Sequence, residues 1–206
     1  MKNPVKTKIN LAVFISGTGT NLQAIIDASF NGQLDANIKL VLSNNPDAFG
    51  LKRAENADIP IEVLSRENYT DRNKFVEAMF SILKKYDIEM IALAGYLRKV
   101  PPEVIAKYSG RIFNIHPGPL PRFGGKGMFG LKVHEAVLEA GVKETCVTIH
   151  KVTDGYDEGE IVATRAVPIY PDDTPQSLQE RVLKIEHEFY PEVLQKIARS
   201  LLDSCD

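Results

Sequence analysis

Ile9-Asn10-Leu11-Ala12-Val13-Phe14-Ile15 runs into Ser16-Gly17-Thr18-Gly19-Thr20-Asn21, and the architecture follows from how this junction is read. An apolar β-rich run that breaks at glycines and resumes as an amphipathic stretch opens a βα unit. The spacing predicts a strand over Ile9–Ile15 and a helix over Thr20–Phe30. Glycines let the backbone turn tightly and come close to a ligand, and the helix N-terminus offers N–H groups and a positive dipole end. A phosphate is the natural guest, although a tight βα turn without a ligand would read the same way. A dinucleotide fingerprint requires a third glycine and a ribose-binding acid after the second strand. Leu22 occupies the glycine position, and the second strand closes on Ser43-Asn44-Asn45, which argues against NAD(P).

Outward from this junction the pattern repeats. A strand at Ile38–Leu42 leads through Asn45-Pro46-Asp47 into a helix ending near Ala57, with Asn45 as expected N-cap and Pro46 at the first helical position. Ile61–Leu64 is a short strand, and Thr70 is the expected cap of a helix carrying Phe75, Met79, Ile82 and Leu83. Ile88–Ala94 reads as a strand buried on both faces, followed by a short helix begun by Pro101-Pro102 and a strand over Arg111–Ile115. A Gly/Pro-rich loop, a helix near Val133–Glu139, strands near Thr145–Val152 and Ile161–Pro168, and a helix from Thr174 to about Leu202 complete the chain. In that last helix Leu178, Val182, Ile185, Phe189, Val193, Ile197 and Leu201 form one apolar stripe. The expected fold class is α/β, a Rossmann-like, mostly parallel sheet with helices on both faces.

At 206 residues the chain has room for one medium-sized domain with its own core, and no linker or repeat divides it. Lys plus Arg is 25 against 27 for Asp plus Glu, a balance that speaks against a nucleic-acid or anionic-lipid partner. The two cysteines, Cys146 and Cys205, lie far apart without metal-ligand spacing, as expected of free thiols in a reducing compartment. The longest early apolar run, Leu11–Ile15, is too short for a signal peptide or membrane span, so a cytoplasmic protein is expected.

Two segments carry chemistry. Asn114 and His116 in Phe113-Asn114-Ile115-His116-Pro117-Gly118-Pro119-Leu120-Pro121 are two apart, hence on one side of a strand. An amide beside an imidazole suits acyl chemistry, one donating to an oxyanion and the other handling a proton. The second segment, Thr153-Asp154-Gly155-Tyr156-Asp157-Glu158-Gly159, is either an ordinary solvated turn or the source of a carboxylate that reaches His116. Such a carboxylate would raise the imidazole pKa above about 6.5, and the spacing alone does not choose between Asp154 and Asp157. His150, His134 and His187 have no metal-ligand spacing and read as structural. Lys126 in Gly124-Gly125-Lys126-Gly127 lacks the pattern of a phosphate-loop lysine.

Four motifs, Ile-Ser-Gly-Thr-Gly-Thr-Asn-Leu-Gln (15–23), Leu-Ala-Gly-Tyr-Leu-Arg (93–98), Asn-Ile-His-Pro (114–117) and His-x-Val-Thr-Asp-x-x-Asp-x-Gly (150–159), together resemble the phosphoribosylglycinamide formyltransferases. The resemblance runs from about residue 8 to residue 200. It implies a single formyltransferase domain over 1–206, with a nucleotide-binding half at about 8–100 and a folate and catalytic half at about 101–204. It further implies formyl transfer from 10-formyltetrahydrofolate to the amine of glycinamide ribonucleotide in purine synthesis. No metal, nucleic acid or membrane is implied, and the expected state is monomer or homodimer.

By motif, Asn114, His116 and Asp157 match the catalytic trio, and Gly19, Thr20 and Asn21 the phosphate turn. Lys184 and Glu186, within Leu183–Glu186, match ribonucleotide-binding positions. Arg66, Leu97, Arg98, Lys99, Val100, Asn114, Thr153, Asp154, Gly155, Tyr156 and Asp157 match the folate site. The chain departs from the family at Gly118-Pro119-Leu120-Pro121 and in a longer glycine-rich loop, Arg122–Gly130, whose composition suggests a mobile lid. Rival readings are a formyltetrahydrofolate hydrolase, for which an extra N-terminal domain is expected, and a methionyl-tRNA formyltransferase, for which a further C-terminal domain is expected. A non-catalytic nucleotide-binding module is the rival from another class.

Overall fold

The computed structural model describes residues 7–204, so Cys205 lies outside the described residues. Strands and helices alternate: β1 (Ile9–Ile15), α1 (Thr20–Phe30), β2 (Ala36–Ser43), α2 (Phe49–Asn56), β3 (Ile61–Val63), α3 (Arg72–Lys85) and β4 (Met90–Leu93) come first. They are followed by α4 (Pro102–Lys107), β5 (Ile112–His116), α5 (Leu131–Glu139), β6 (Glu144–Lys151), β7 (Ile161–Pro168) and α6 (Pro175–Asp203). The strand order is β3-β2-β1-β4-β5-β6-β7. Two compact units divide the chain, one running through Arg98 and resuming at Pro191, the other Lys99–Tyr190. No helix among the described residues is long and apolar enough to cross a membrane.

In the first unit β1 pairs in parallel with β2 and β4, and β2 with β3. Leu11, Ala12, Val13, Phe14 and Ile15 are fully buried, which explains an uninterrupted apolar run instead of an alternating one. Each large side chain among them contributes about 1.5–3 kcal/mol by leaving water. The chain steps outward from β1 to β2 to β3 and then returns to place β4 on the other side of β1. By the right-handed rule for parallel crossovers, connections that run in opposite directions from β1 place their helices on opposite faces of the sheet. That reversal is a topological switch point, where open α/β sheets bind ligands beyond the strand ends.

The second unit departs from a purely parallel pattern. β5 and β6 are antiparallel, with Asn114 opposite His150 and His116 opposite Thr148. β6 and β7 are also antiparallel, Val147 facing Arg165. His116 is the last residue of β5, which runs one residue beyond the strand end expected from sequence.

Several local expectations are corrected. α2 starts at Phe49 with Ala48 as N-cap, not at Pro46 with Asn45. The Asn45 side chain is spent in the preceding turn, where Oδ1 accepts from the Asp47 N–H at 3.0 Å and Nδ2 donates to the Ser16 carbonyl at 3.3 Å. Asp71 caps α3 in place of Thr70, its carboxylate accepting from the Asn73 N–H at 2.8 Å. On α6 the buried face holds Leu178, Val182, Phe189 and Val193 but is completed by Glu186, Tyr190, Leu194 and Ala198. Ile185, Ile197 and Leu201 are only half-buried. A four-residue step overshoots a full helical turn by roughly 40°, so the expected stripe drifts off the true face.

Candidate active site

β5 ends with Asn114 and His116 on one side of the strand, and the antiparallel register places His150 of β6 directly across from Asn114. The loop after β6 returns a carboxylate to the same place. Asp157 Oδ2 lies 3.7 Å from His116 Nδ1, and Oδ1 lies 3.4 Å from His150 Nε2 and 3.4 Å from Asn114 Nδ2. The choice between the two carboxylates is thereby made in favour of Asp157; Asp154 is exposed, and its carbonyl accepts from Lys99 Nζ at 2.6 Å. Asp157 adopts a left-handed backbone with φ 57°, a conformation that Asp and Asn tolerate better than most residues.

Backbone groups complete the cluster. His116 Nε2 donates to the Phe123 carbonyl at 2.8 Å, since a carbonyl can only accept. In the neutral ring that leaves Nδ1 as a lone pair turned toward Asp157. The Gly125 N–H donates to Asp157 Oδ2 at 3.0 Å. His150 Nδ1 likewise donates to the Lys151 carbonyl at 2.8 Å, which leaves its Nε2 free to accept from Asn114 Nδ2 at 3.1 Å in the neutral form. His150 was read from sequence as structural; it is a member of this constellation.

The electrostatics correct a second expectation. His116 is 3% exposed, and burial pushes its pKa below the usual histidine value. The charge of Asp157 and the Phe123 carbonyl act in the opposite direction without prevailing. His116 is therefore a free base near neutrality, its pKa lowered by burial and not raised as the sequence leads one to expect. Burial also pushes Asp157 upward, but the neighbouring His150 ring, the Gly125 N–H bond and nearby His116 more than offset it, so its carboxyl sits below the ordinary range. Asp157 is ionised at neutral pH.

The glycine turn belongs to the first unit. Gly19 is the N-cap of α1 at φ 70°, with no side-chain cap on the helix, so the amides of Thr20 and Asn21 open the helix as an anion site requires. A Cβ on Gly19 would come within 2.6 Å of Gly50 Cα, and the Gly50 N–H donates to the Gly17 carbonyl at 3.0 Å. Glycine is demanded here both by φ and by the approach of two backbones. Ser16 Oγ donates to Asn44 Oδ1 at 2.5 Å and accepts the Leu97 N–H at 2.8 Å, tying the ends of β1 and β4 together at the switch point.

Arg66 opens a 3-10 turn and bonds the Tyr69 carbonyl, while Arg98 pairs with Glu67 at 2.8 Å. Leu97 is exposed and Val100 buried. Lys99 also stacks over Tyr156, 4.5 Å from the ring centre, so it braces the 153–157 loop from within the second unit. Thr153 and Tyr156 are exposed, and Gly155 half-buried. On α6, Lys184 is exposed and Glu186 is 6% exposed.

With this arrangement in view, the chain matches the model of one known family, described as formyl transferase, over residues 9–194. The chain belongs to the formyl transferase family. Within that family it is 39% identical over 188 residues to the chloroplastic phosphoribosylglycinamide formyltransferase of Arabidopsis thaliana, covering 91% of this chain and 64% of that protein. The chain thus spans under two thirds of the length of this plant relative. It is 38% identical over 185 residues to the phosphoribosylglycinamide formyltransferase of Haemophilus influenzae, covering 90% of this chain and 85% of the relative. Among solved structures, the glycinamide ribonucleotide transformylase 1 of Geobacillus kaustophilus superposes with a TM-score of 0.86 at 41% identity, over 93% of this chain and 99% of that one. The α/β formyl transferase fold is that of this chain.

Proposed function

We propose that this chain transfers a formyl group from 10-formyltetrahydrofolate to the amine of glycinamide ribonucleotide, a step of purine biosynthesis. The observation that carries this reading is the convergence of Asn114, His116 and Asp157 within 3.4–3.7 Å contacts in a formyl transferase chain. Similarity to two proteins named for that reaction supports the choice of substrates.

Each residue has a physical task in it. The amine must be uncharged to attack. As it bonds to the formyl carbon, charge develops on the carbonyl oxygen, and Asn114 Nδ2–H donates to it. The long 3.4 Å contact of Asn114 with Asp157 is the one this new acceptor replaces. His116, neutral beforehand, accepts the proton that the attacking nitrogen sheds. The imidazolium so formed lies beside ionised Asp157, which stabilises it only while it is charged. His116 then returns the proton to the departing folate nitrogen. Holding two substrates together is worth on the order of 7–11 kcal/mol of the barrier.

In the same proposal Gly19, Thr20 and Asn21 take the phosphate of the ribonucleotide, and Lys184 and Glu186 its sugar side. Arg66, Leu97 to Val100, Asn114 and Thr153 to Asp157 line the folate site. The chain acts as one formyltransferase domain in the cytoplasm, as a monomer or homodimer, on these small molecules and without nucleic acid, membrane or metal. Mixing the protein with 10-formyltetrahydrofolate, with and without glycinamide ribonucleotide, tests it. Tetrahydrofolate release that depends on the ribonucleotide is the expected result. Release without the ribonucleotide would make the chain a hydrolase, and no release a non-catalytic module.

A further inference from the structure

The glycine-rich segment after β5 makes two contacts that side chains ordinarily make. The Phe123 carbonyl accepts from His116 Nε2 at 2.8 Å, and two residues later the Gly125 N–H donates to Asp157 Oδ2 at 3.0 Å. His116 and Gly125 are close in sequence, whereas Asp157 arrives from a loop 32 residues beyond Gly125. We propose that the backbone of Phe123-Gly124-Gly125 is the positioning element of the reaction, its carbonyl orienting His116 and its amide orienting Asp157, so that the proton carrier and the carboxylate are set against each other by main chain. This rests on the formyl-transfer reading and deepens it by naming what holds the pair.

Four further observations support it. The segment is anchored: Phe123 is 6% exposed, its N–H donates to the Pro119 carbonyl at 2.9 Å, and the Gly124 N–H donates to Pro121 at 3.2 Å. Pro117, Pro119 and Pro121 restrict the chain that leads into it. Gly124 has no room for a side chain, since a Cβ there would stand 3.0 Å from Asp157 Cβ and closer still to Leu120 Cδ2. Gly125 has φ 101°, a conformation open to glycine, and aims its amide at the carboxylate from it. The lid suggested by composition is thus tied to the catalytic carboxylate at its first residues.

A matched pair of variants tests this. Gly125 and Gly127 both have positive φ, 101° and 89°, and a Cβ on either meets nothing within 4 Å. Alanine is placed at positive φ in both, and of the two it is position 125 whose N–H bonds Asp157. Gly125→Ala is expected to lower kcat by on the order of tenfold to a hundredfold, with KM nearly unchanged, as for other small misplacements of reacting groups. Gly127→Ala is expected to behave as the unaltered protein. Gly124→Val, which pushes on Asp157 directly, is expected to follow Gly125→Ala.

A second measurement needs no turnover. NMR titration of the His116 ring, which faces Asp157 and feels His150 and His134, is expected to move to lower pH in Gly125→Ala and not in Gly127→Ala. Equal kinetics and equal titration curves for the two variants would overturn the proposal. An unaltered protein that does not formylate glycinamide ribonucleotide would instead defeat the function reading, and the titration comparison would still decide the clamp.

Discussion

Asp157 is nearer to His150 than to His116: its Oδ1 lies 3.4 Å from His150 Nε2, and its Oδ2 lies 3.7 Å from His116 Nδ1. One carboxylate therefore serves two imidazoles, and Asn114 bridges on the His150 side. His116 and Asn114 are linked through it. Changing any member should alter the others.

Asp157→Asn is the cleanest probe of that link, because Asn also tolerates the left-handed backbone at this position. Loss of the charge removes the main influence holding the His116 pKa up against burial. The His116 titration should shift to lower pH, and formyl transfer should fall. An unchanged curve would mean that the two groups do not interact.

Asn114→Ala should cost about 3 kcal/mol of transition-state stabilisation, as for loss of other single oxyanion donors. Steady-state kinetics should show this mostly in kcat. Turnover near that of the unaltered protein would remove Asn114 from the mechanism.

His150→Leu removes the acceptor of Asn114 Nδ2 and the imidazole that lies 3.4 Å from Asp157. Asp157 should become less acidic, and activity should be lost from the acid side of the pH profile. The thermal midpoint at neutral pH measures how much of the effect is structural. A profile merely scaled down would assign His150 to packing.

His134 is 1% exposed, and its Nδ1 finds no hydrogen-bond partner among the described residues. Burial, helped by nearby His116, lowers its pKa to about 4. A histidine lowered in the fold binds fewer protons than in the unfolded chain, so stability is full above about pH 6.5 and declines as pH drops toward 4. The loss is roughly 3 kcal/mol at the lower end. Denaturant titrations between pH 7 and 4.5 should show a gentler decline for His134→Leu. His116, lowered in the same direction, keeps part of the slope.

Gly19→Ala should destabilise the first unit by at least about 1–2 kcal/mol through its left-handed φ alone. The Cβ also meets Gly50 Cα at 2.6 Å, so the turn must open. Binding of glycinamide ribonucleotide should weaken in a calorimetric titration. Full affinity in a folded variant would move the phosphate elsewhere.

Local patterns were legible where the determinant lies within a few residues. The ends of β1, α1 and β7 coincide with the residues expected from sequence, because hydrophobic period and glycine breaks mark them directly. Helix caps were less so, since Asn45 and Thr70 offered caps as good on paper as those used. Asn45 was claimed by a turn that also reaches Ser16, and Asp71 had the better reach to Asn73. Asn114, His116 and Asp157 were found through motifs. His150 stands at the head of one of those motifs, but what brings it to Asn114 is the antiparallel register of β5 and β6, which no local pattern carries.

By itself the sequence determined the succession of strands and helices, the glycine turn and the residue types able to do acyl chemistry, because these depend on neighbours along the chain. Tertiary structure alone decided that His150 joins Asn114 and Asp157, and that two backbone groups of a glycine segment contact His116 and Asp157. It also decided the protonation state of His116, since burial is a property of everything packed around a ring and not of the residues beside it in sequence.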